Sequence, residues 1–163
     1  TARIAELLVA HLDDLDRPVL DLGCGTGAAG VRLAELGITA IDGVDLSPEM
    51  LRVAADKGVY RRLVVADLTR PVLPLASGYG ALVSAGTFTT GHVGADAVPA
   101  LVRLTEPGGL IAWVIAAALW PAFAPVLDGL QVRRIHESLE PIRIDGPPES
   151  VMFVGRTPGP AEP

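Results

Sequence analysis

The feature that most constrains this chain is its alternation of short, continuous apolar runs with stretches of helical periodicity. The PVLDL run ahead of a glycine-rich turn, then Ala40–Leu46, Arg62–Ala66, Ala81–Ala85 and Leu110–Ile115, each read as a strand. Most lack in-out alternation, the pattern of a parallel sheet covered by helices on both faces. Between the strands, Ala2–Leu12 carries Ile4, Leu7, Leu8 and Leu12 at helical spacing. Ala28–Leu36 is a second helix, closed by Gly37 at its C′ position. Ser47 is placed to cap a third, with Pro48 as its first residue, which runs to about Lys57 and stops at Gly58. A helix is expected through Ala97–Leu104. Val132–Leu139 and Val151–Arg156 flank the turn residues Asp145, Gly146, Pro147 and Pro148, which suggests a terminal hairpin.

The 163 residues fit one domain, expected over 1–157, with 158–163 as a flexible tail. Half of the residues are apolar, which argues against disorder over most of the length. The net charge of −6 speaks against nucleic acid or an anionic membrane as the main partner, because both need a basic footprint. Cys24 is the single cysteine, which excludes an intramolecular disulfide and suits a reducing, cytoplasmic setting. The amphipathic opening stretch is not expected to be a secretory leader, and without an initiator Met, Thr1 reads as an internal position of a longer protein. Gly108–Leu127 is uncharged for about the length of a membrane span. Gly108, Gly109, Pro121 and Pro125 punctuate it as a buried strand followed by a short helix.

In open parallel sheets ligands bind at the carboxyl ends of the strands, so the residues just past each strand are the informative ones. After the first strand comes Asp21-Leu22-Gly23-Cys24-Gly25-Thr26-Gly27, whose alternate glycines let the backbone approach a ligand. Asp45 ends the second strand, about 20 residues past the turn, as an acceptor suited to ribose hydroxyls. Asp67 ends the third, where a carboxylate can accept from an exocyclic adenine amine. The glycines alone are ambiguous: Gly23-x-Gly25-x-x-Ala28 and Gly25-x-Gly27-x-x-Gly30 both satisfy a dinucleotide fingerprint. A carboxylate at Asp21 facing the turn argues against a pyrophosphate and for a ligand bearing an ammonium group.

VLDLGCGTG resembles the first motif of class I S-adenosylmethionine-dependent methyltransferases, and GVDLSPEML their second-strand ribose motif. VVADL resembles the adenine motif, and LVRLTEPGGLI the segment leading into the fifth strand. IDGVDLSPEML together with GTFTTGHVG is similar to the Williams–Beuren-region methyltransferase-like subgroup. The resemblance, over about Val19 to Ile115, implies a Rossmann-like α/β three-layer sandwich with a seven-stranded, mostly parallel sheet and an antiparallel terminal strand. It implies S-adenosylmethionine as cofactor, with Asp21, Gly23 and Gly25 near the methionine moiety, Asp45 on the ribose, and Cys24 and Leu46 among the cofactor-binding residues. Asp67 and Leu68 would lie around the adenine, and the Ala85 backbone near the amino-acid end. Gly80 departs from the family, standing where an acidic residue commonly opens the fourth strand.

The function this implies is methyl transfer by in-line displacement to a small-molecule O, N or C nucleophile. His92, in Thr87-Phe88-Thr89-Thr90-Gly91-His92 after the fourth strand, is the candidate acceptor-side base or orienter, against a surface or capping role. Phe88 is either a pocket wall or a core aromatic, and His11 and His136 read as incidental. No ligand cluster for a metal stands out. Two alternatives stay open: an adenosylmethionine-binding module without catalysis, and an NAD-dependent oxidoreductase. Ala116–Gln131 is short for an acceptor-binding insertion, so either the site is open or an N-terminal lid lies upstream.

Overall fold

The computed structural model describes residues 1–141 and 148–160. The expected turn residues Asp145, Gly146 and Pro147, and 161–163 of the expected tail, lie outside them. In chain order the elements are α1 (Ala2–Val9), β1 (Val19–Leu22), α2 (Ala28–Glu35), β2 (Ile41–Asp45), α3 (Pro48–Ala55) and β3 (Tyr60–Val65). There follow β4 (Tyr79–Phe88), α4 (Val98–Val102), β5 (Thr105–Ala116), α5 (Trp120–Gly129), β6 (Arg133–Pro141) and β7 (Pro148–Arg156).

Seven strands make one sheet in the order β3-β2-β1-β4-β5-β7-β6. Neighbouring strands from β3 through β5 are parallel, and β7 runs antiparallel to both β5 and β6. The strand order reverses direction at β1 and β4, so a crevice opens between their carboxyl ends. Side chains alternate across the sheet. Val19 joins Ile4, Leu8 and Leu33 of α1 and α2 on one face. Leu20 and Leu22 join Val98 and Leu101 of α4 and Phe123 of α5 on the other. Phe88, Trp113 and Phe123 stack within that second face, with ring centroids 4.8 and 5.2 Å apart. Phe88 is therefore a core aromatic. This is the expected Rossmann-like three-layer sandwich.

Ser47 caps α3 as its sequence predicts, its hydroxyl accepting from the Met50 N–H at 3.2 Å. Other boundaries moved. α1 ends at Val9 rather than Leu12, because His11 and Leu12 donate to the carbonyls three residues back and wind the end into a tighter turn. The helix expected over Ala97–Leu104 is a 3-10 turn at Ala95–Ala97 followed by the five-residue α4. Pro99 suits the first turn of a helix, and the Leu104 N–H already closes back on Leu101. Gly80 is glycine for a steric reason: a Cβ there would lie 2.5 Å from the Cβ of Arg17. The apolar stretch from Gly108 divides between β5 and α5, and no helix among the described residues is long and apolar enough to cross a membrane.

At the opposite side of β2 from the glycine turn, Asp42 is buried and held by the Arg61 guanidinium in two bonds of 3.1 Å. The Tyr79 hydroxyl donates to it at 2.8 Å. This knot ties β2, β3 and the start of β4 together.

Candidate active site

The turn between β1 and α2 is built on left-handed glycines, with φ of 64° at Gly23, 54° at Gly25 and 90° at Gly27. Its amides are largely satisfied within the protein. Cys24 N–H donates to the Val44 carbonyl at 3.0 Å and Gly27 N–H to Cys24 at 2.9 Å. Gly25 N–H donates to Asp45 Oδ2 at 2.8 Å, and the other Asp45 oxygen accepts from Ser47 N–H at 2.9 Å. One carboxylate thus fastens the turn to the start of α3. Each of its oxygens still has a second lone pair for a ligand hydroxyl. Leu46, the next residue, is 67% exposed.

β4 closes the other side. The Ser84 and Thr87 hydroxyls both donate to the Leu22 carbonyl, at 3.0 and 2.8 Å. A bulge after Ser84, where pairing with β5 slips before Phe88, bends Thr87 over the turn. The approach is so close that a Cβ on Gly23 would fall 1.9 Å from Thr87 Oγ1. Ala85 is half-buried at the start of that bulge. A Cβ on Gly25, by contrast, would meet nothing within 4 Å. The turn therefore presents a backbone edge to open space, beside a half-buried carboxylate, which is the shape and polarity a ribose-bearing ligand needs.

Asp21 does not face that space, contrary to the expectation for it. Its carboxylate is 1% exposed beneath the turn, on the α2 side, where the Tyr60 hydroxyl donates to it at 2.7 Å. Burial pushes its pKa up to about 7, opposed by that hydroxyl and by a backbone bond from Gly30. Cys24 is also buried, and its thiol is pushed well above the ordinary range by burial, then by Asp21 and Asp45. A thiol so placed favours its protonated form. Among the described residues there is no cluster of side chains that could hold a metal ion.

Asp67 takes the shape of a loop turn. Its carboxylate accepts from the Thr69 N–H at 3.0 Å and the Thr69 hydroxyl at 2.6 Å, with Arg70 at 3.3 Å. The Thr69 hydroxyl, then the Thr69 amide, hold it below the usual carboxylate range. Leu68 packs into the core, 5% exposed. His92 is exposed in a tight turn, its N–H donating to the Thr89 carbonyl at 3.1 Å with Gly91 at φ 84°. Among the described residues its ring has no hydrogen-bond partner. Gly23, Gly25 and Asp45 come together; Asp67 and His92 lie on separate loops.

Sequence reasoning missed Tyr60 and gave Ser84 and Thr87 no role of their own. Gly43, a glycine inside the apolar second strand, was the available signal for Tyr60, since it marks a close approach. A Cβ there would stand 3.0 Å from the Tyr60 ring.

A family model described as a methyltransferase domain matches residues 19–109. Methyltransferase-like protein 27 of Homo sapiens is 38% identical over 94 residues, which is 57% of this chain and 38% of that protein. An 18S rRNA (guanine-N(7))-methyltransferase of Arabidopsis thaliana is 41% identical over 66 residues, 40% of this chain and 22% of its own length. The chain spans less than half the length of these curated relatives. Among solved structures, a TehB-like SAM-dependent methyltransferase from Corynebacterium glutamicum superposes with a TM-score of 0.75 at 21% identity, over 94% of this chain and 87% of that one. Magnesium protoporphyrin IX methyltransferase from Synechocystis, solved with bound SAM, gives 0.76 at 18% identity, over 96% of this chain and 79% of that one. These two likenesses concern the fold, and the family match spans more than half of the chain on a sheet of the same design. The chain belongs to the methyltransferase domain family, on the fold of the S-adenosylmethionine-dependent enzymes it superposes with.

Proposed function

We propose that this chain transfers a methyl group from S-adenosylmethionine to a small-molecule O, N or C nucleophile by in-line displacement. The observation that carries the cofactor half is the Gly25–Asp45 bond. In a dinucleotide site the turn amides face a pyrophosphate. Here a carboxylate already occupies the Gly25 amide, and a phosphate brought beside it would meet like charge. That disfavours the NAD reading more directly than Asp21 does, because Asp21 is buried and close to half-protonated at neutral pH.

Bound S-adenosylmethionine supplies a methyl group already activated by its sulfonium. The protein's part is then positioning and exclusion of water. We assign Gly23, Cys24 and Gly25 to the methionine moiety through their backbone, Asp45 with Leu46 to the ribose, and Ala85 to the amino-acid end. Asp67 is assigned to the adenine through Oδ2, which Thr69 leaves unused and the exposed Arg70 approaches at 3.3 Å, and Leu68 through its backbone. His92 orients or deprotonates the acceptor on the β4 side of the crevice.

The net charge of −6 and the carboxylates Asp45 and Asp67 favour a small acceptor over RNA. The Arabidopsis relative's name carries the competing reading, an RNA acceptor. Release of adenosylhomocysteine, measured against a panel of small O, N and C nucleophiles, ribosomal RNA and ribosomal protein, separates the cases. Turnover with RNA or protein alone overturns the small-molecule reading, and binding without any turnover makes the chain a binding module. With an active acceptor, His92→Ala is expected to lower kcat about a hundredfold, at the low end of general-base effects, with cofactor affinity retained. Unchanged turnover removes His92 from the mechanism.

A further inference from the structure

We infer that Tyr60 is a positioning residue of the cofactor site, acting through Asp21 to set the charge beneath the glycine turn. The inference rests on S-adenosylmethionine as the cofactor.

Tyr60 opens β3, two strands away from Asp21 on β1. Its ring crosses the intervening strand at Gly43, where an added Cβ would crowd it at 3.0 Å and Leu63 at 2.8 Å. It lies under the start of α2, where Gly30 of the helix and Gly27 of the preceding turn leave room for it. A Cβ on Gly30 would fall 2.2 Å from the Tyr60 hydroxyl oxygen, and one on Gly27 3.1 Å from the ring. Three glycines on two elements and a turn thus make room for one phenol. The phenol spends its hydroxyl on Asp21, at 2.7 Å.

Asp21 has no cation for company. The charged or titratable groups set against it are Tyr60 from β3, Cys24 from the turn and Asp45 from β2, with the Gly30 amide from α2. None of these carries positive charge, and Asp21 forms no salt bridge among the described residues. Burial favours its neutral form; the Tyr60 hydroxyl is the strongest group favouring the ionised one. Whether Asp21 is charged near neutral pH therefore depends on that hydroxyl. Ionised, it adds negative potential under the turn where the cationic amino-acid end of the cofactor would sit. Protonated, it adds none.

The sign follows. Cofactor affinity rises with pH as Asp21 ionises, and loss of the Tyr60 hydroxyl moves that rise to higher pH. Tyr60→Phe keeps the ring in its glycine-lined slot and removes only the donor. The expected shift is about one pH unit, the scale of a hydrogen bond to a charged group. With Asp21 titrating near 7, that corresponds to roughly fivefold weaker binding at pH 7, with the difference nearly closed by pH 8.5.

Two measurements test this. The carbon-13 resonance of the Asp21 carboxyl, titrated in the free chain, should show a midpoint near neutral in the parent and a higher one in Tyr60→Phe. Calorimetric titration with S-adenosylmethionine from pH 5.5 to 8.5 should show the matching displacement, and Asp21→Asn should lose this component of the pH dependence. Superimposable carboxyl titrations in parent and Tyr60→Phe overturn the inference, as does an Asp21→Asn profile equal to the parent's. Absence of cofactor binding at every pH would instead overturn the cofactor assignment, since the carboxyl titration reads Asp21 without it.

Discussion

Gly25→Ala separates what the glycine turn does for the fold from what it does for the ligand. Gly25 has φ 54°, in the left-handed region, and an added Cβ would find nothing within 4 Å. The substitution therefore costs only the backbone preference of an L-residue, about 1–2 kcal/mol. Reduced freedom of the unfolded chain returns about 0.4–1 kcal/mol of that. The net loss is about 1 kcal/mol, or a fall in Tm of roughly 2–4 °C for a chain of this size. The Gly25 N–H to Asp45 bond survives, because alanine keeps the donor. Gly23→Ala is the internal control. There the Cβ would lie 1.9 Å from Thr87 Oγ1 and would break the hydroxyl's bond to Leu22, so a loss of about 3 kcal/mol or more is expected. Urea unfolding of both variants measures the fold; calorimetry with S-adenosylmethionine measures the site. Gly25→Ala should stay folded and bind at least about tenfold more weakly, because its methyl occupies the open edge of the turn. Equal destabilisation by the two variants would refute the reading of the turn's two sides. Undiminished cofactor binding by Gly25→Ala would refute the placement of the ligand there.

Asp45→Ala is expected to weaken S-adenosylmethionine binding by about 1.5–3 kcal/mol, the scale of a hydrogen bond involving a charged group, as read by calorimetry. Asp42→Ala leaves the Arg61 guanidinium and the Tyr79 hydroxyl without their buried partner, and should cost about 3 kcal/mol in urea unfolding with the m-value retained. Asp21 makes stability depend on pH in the sense opposite to a salt-bridged carboxylate. Its folded pKa, about 7, lies above the ordinary 3.8, so the stabilising contribution of its neutral form is whole below 3.8 and is lost as pH rises through 7. From pH 5.5 to 8 the loss is about 2 kcal/mol, and Asp21→Asn should remove that slope in paired urea titrations. Parallel profiles for the two proteins would show that Asp21 does not titrate in this window.

What could be read from the residues in order was read where the cause is local. An apolar run bounded by glycine needs nothing beyond itself to be a strand, and Ser47-Pro48 carries both halves of a helix start. What escaped depends on which strands become neighbours. Tyr60 reaches Asp21 only because β3, β2 and β1 lie in that order and Gly43 leaves a gap between them. Thr87 reaches Gly23 only because β4 pairs beside β1 and then bulges. The end of β4 past Ala85 was missed for the same reason: its pairing resumes at Phe88 against Ile115, which no local pattern marks.

Asp21 shows how strand parity decides which way a side chain at a strand end points. Side chains alternate along a strand, so Asp21 shares its face with Val19, which packs against α1 and α2, and not with Leu22. That parity turns the carboxylate under the helix and away from the mouth of the crevice. The burden of excluding a phosphate then passes to Asp45, which ends its strand half-buried at the mouth and takes the turn's own amide. A glycine turn whose amide is spent on a carboxylate is no longer an anion site, whatever its spacing suggests. The distinction between the two cofactor classes lies in where that one N–H points.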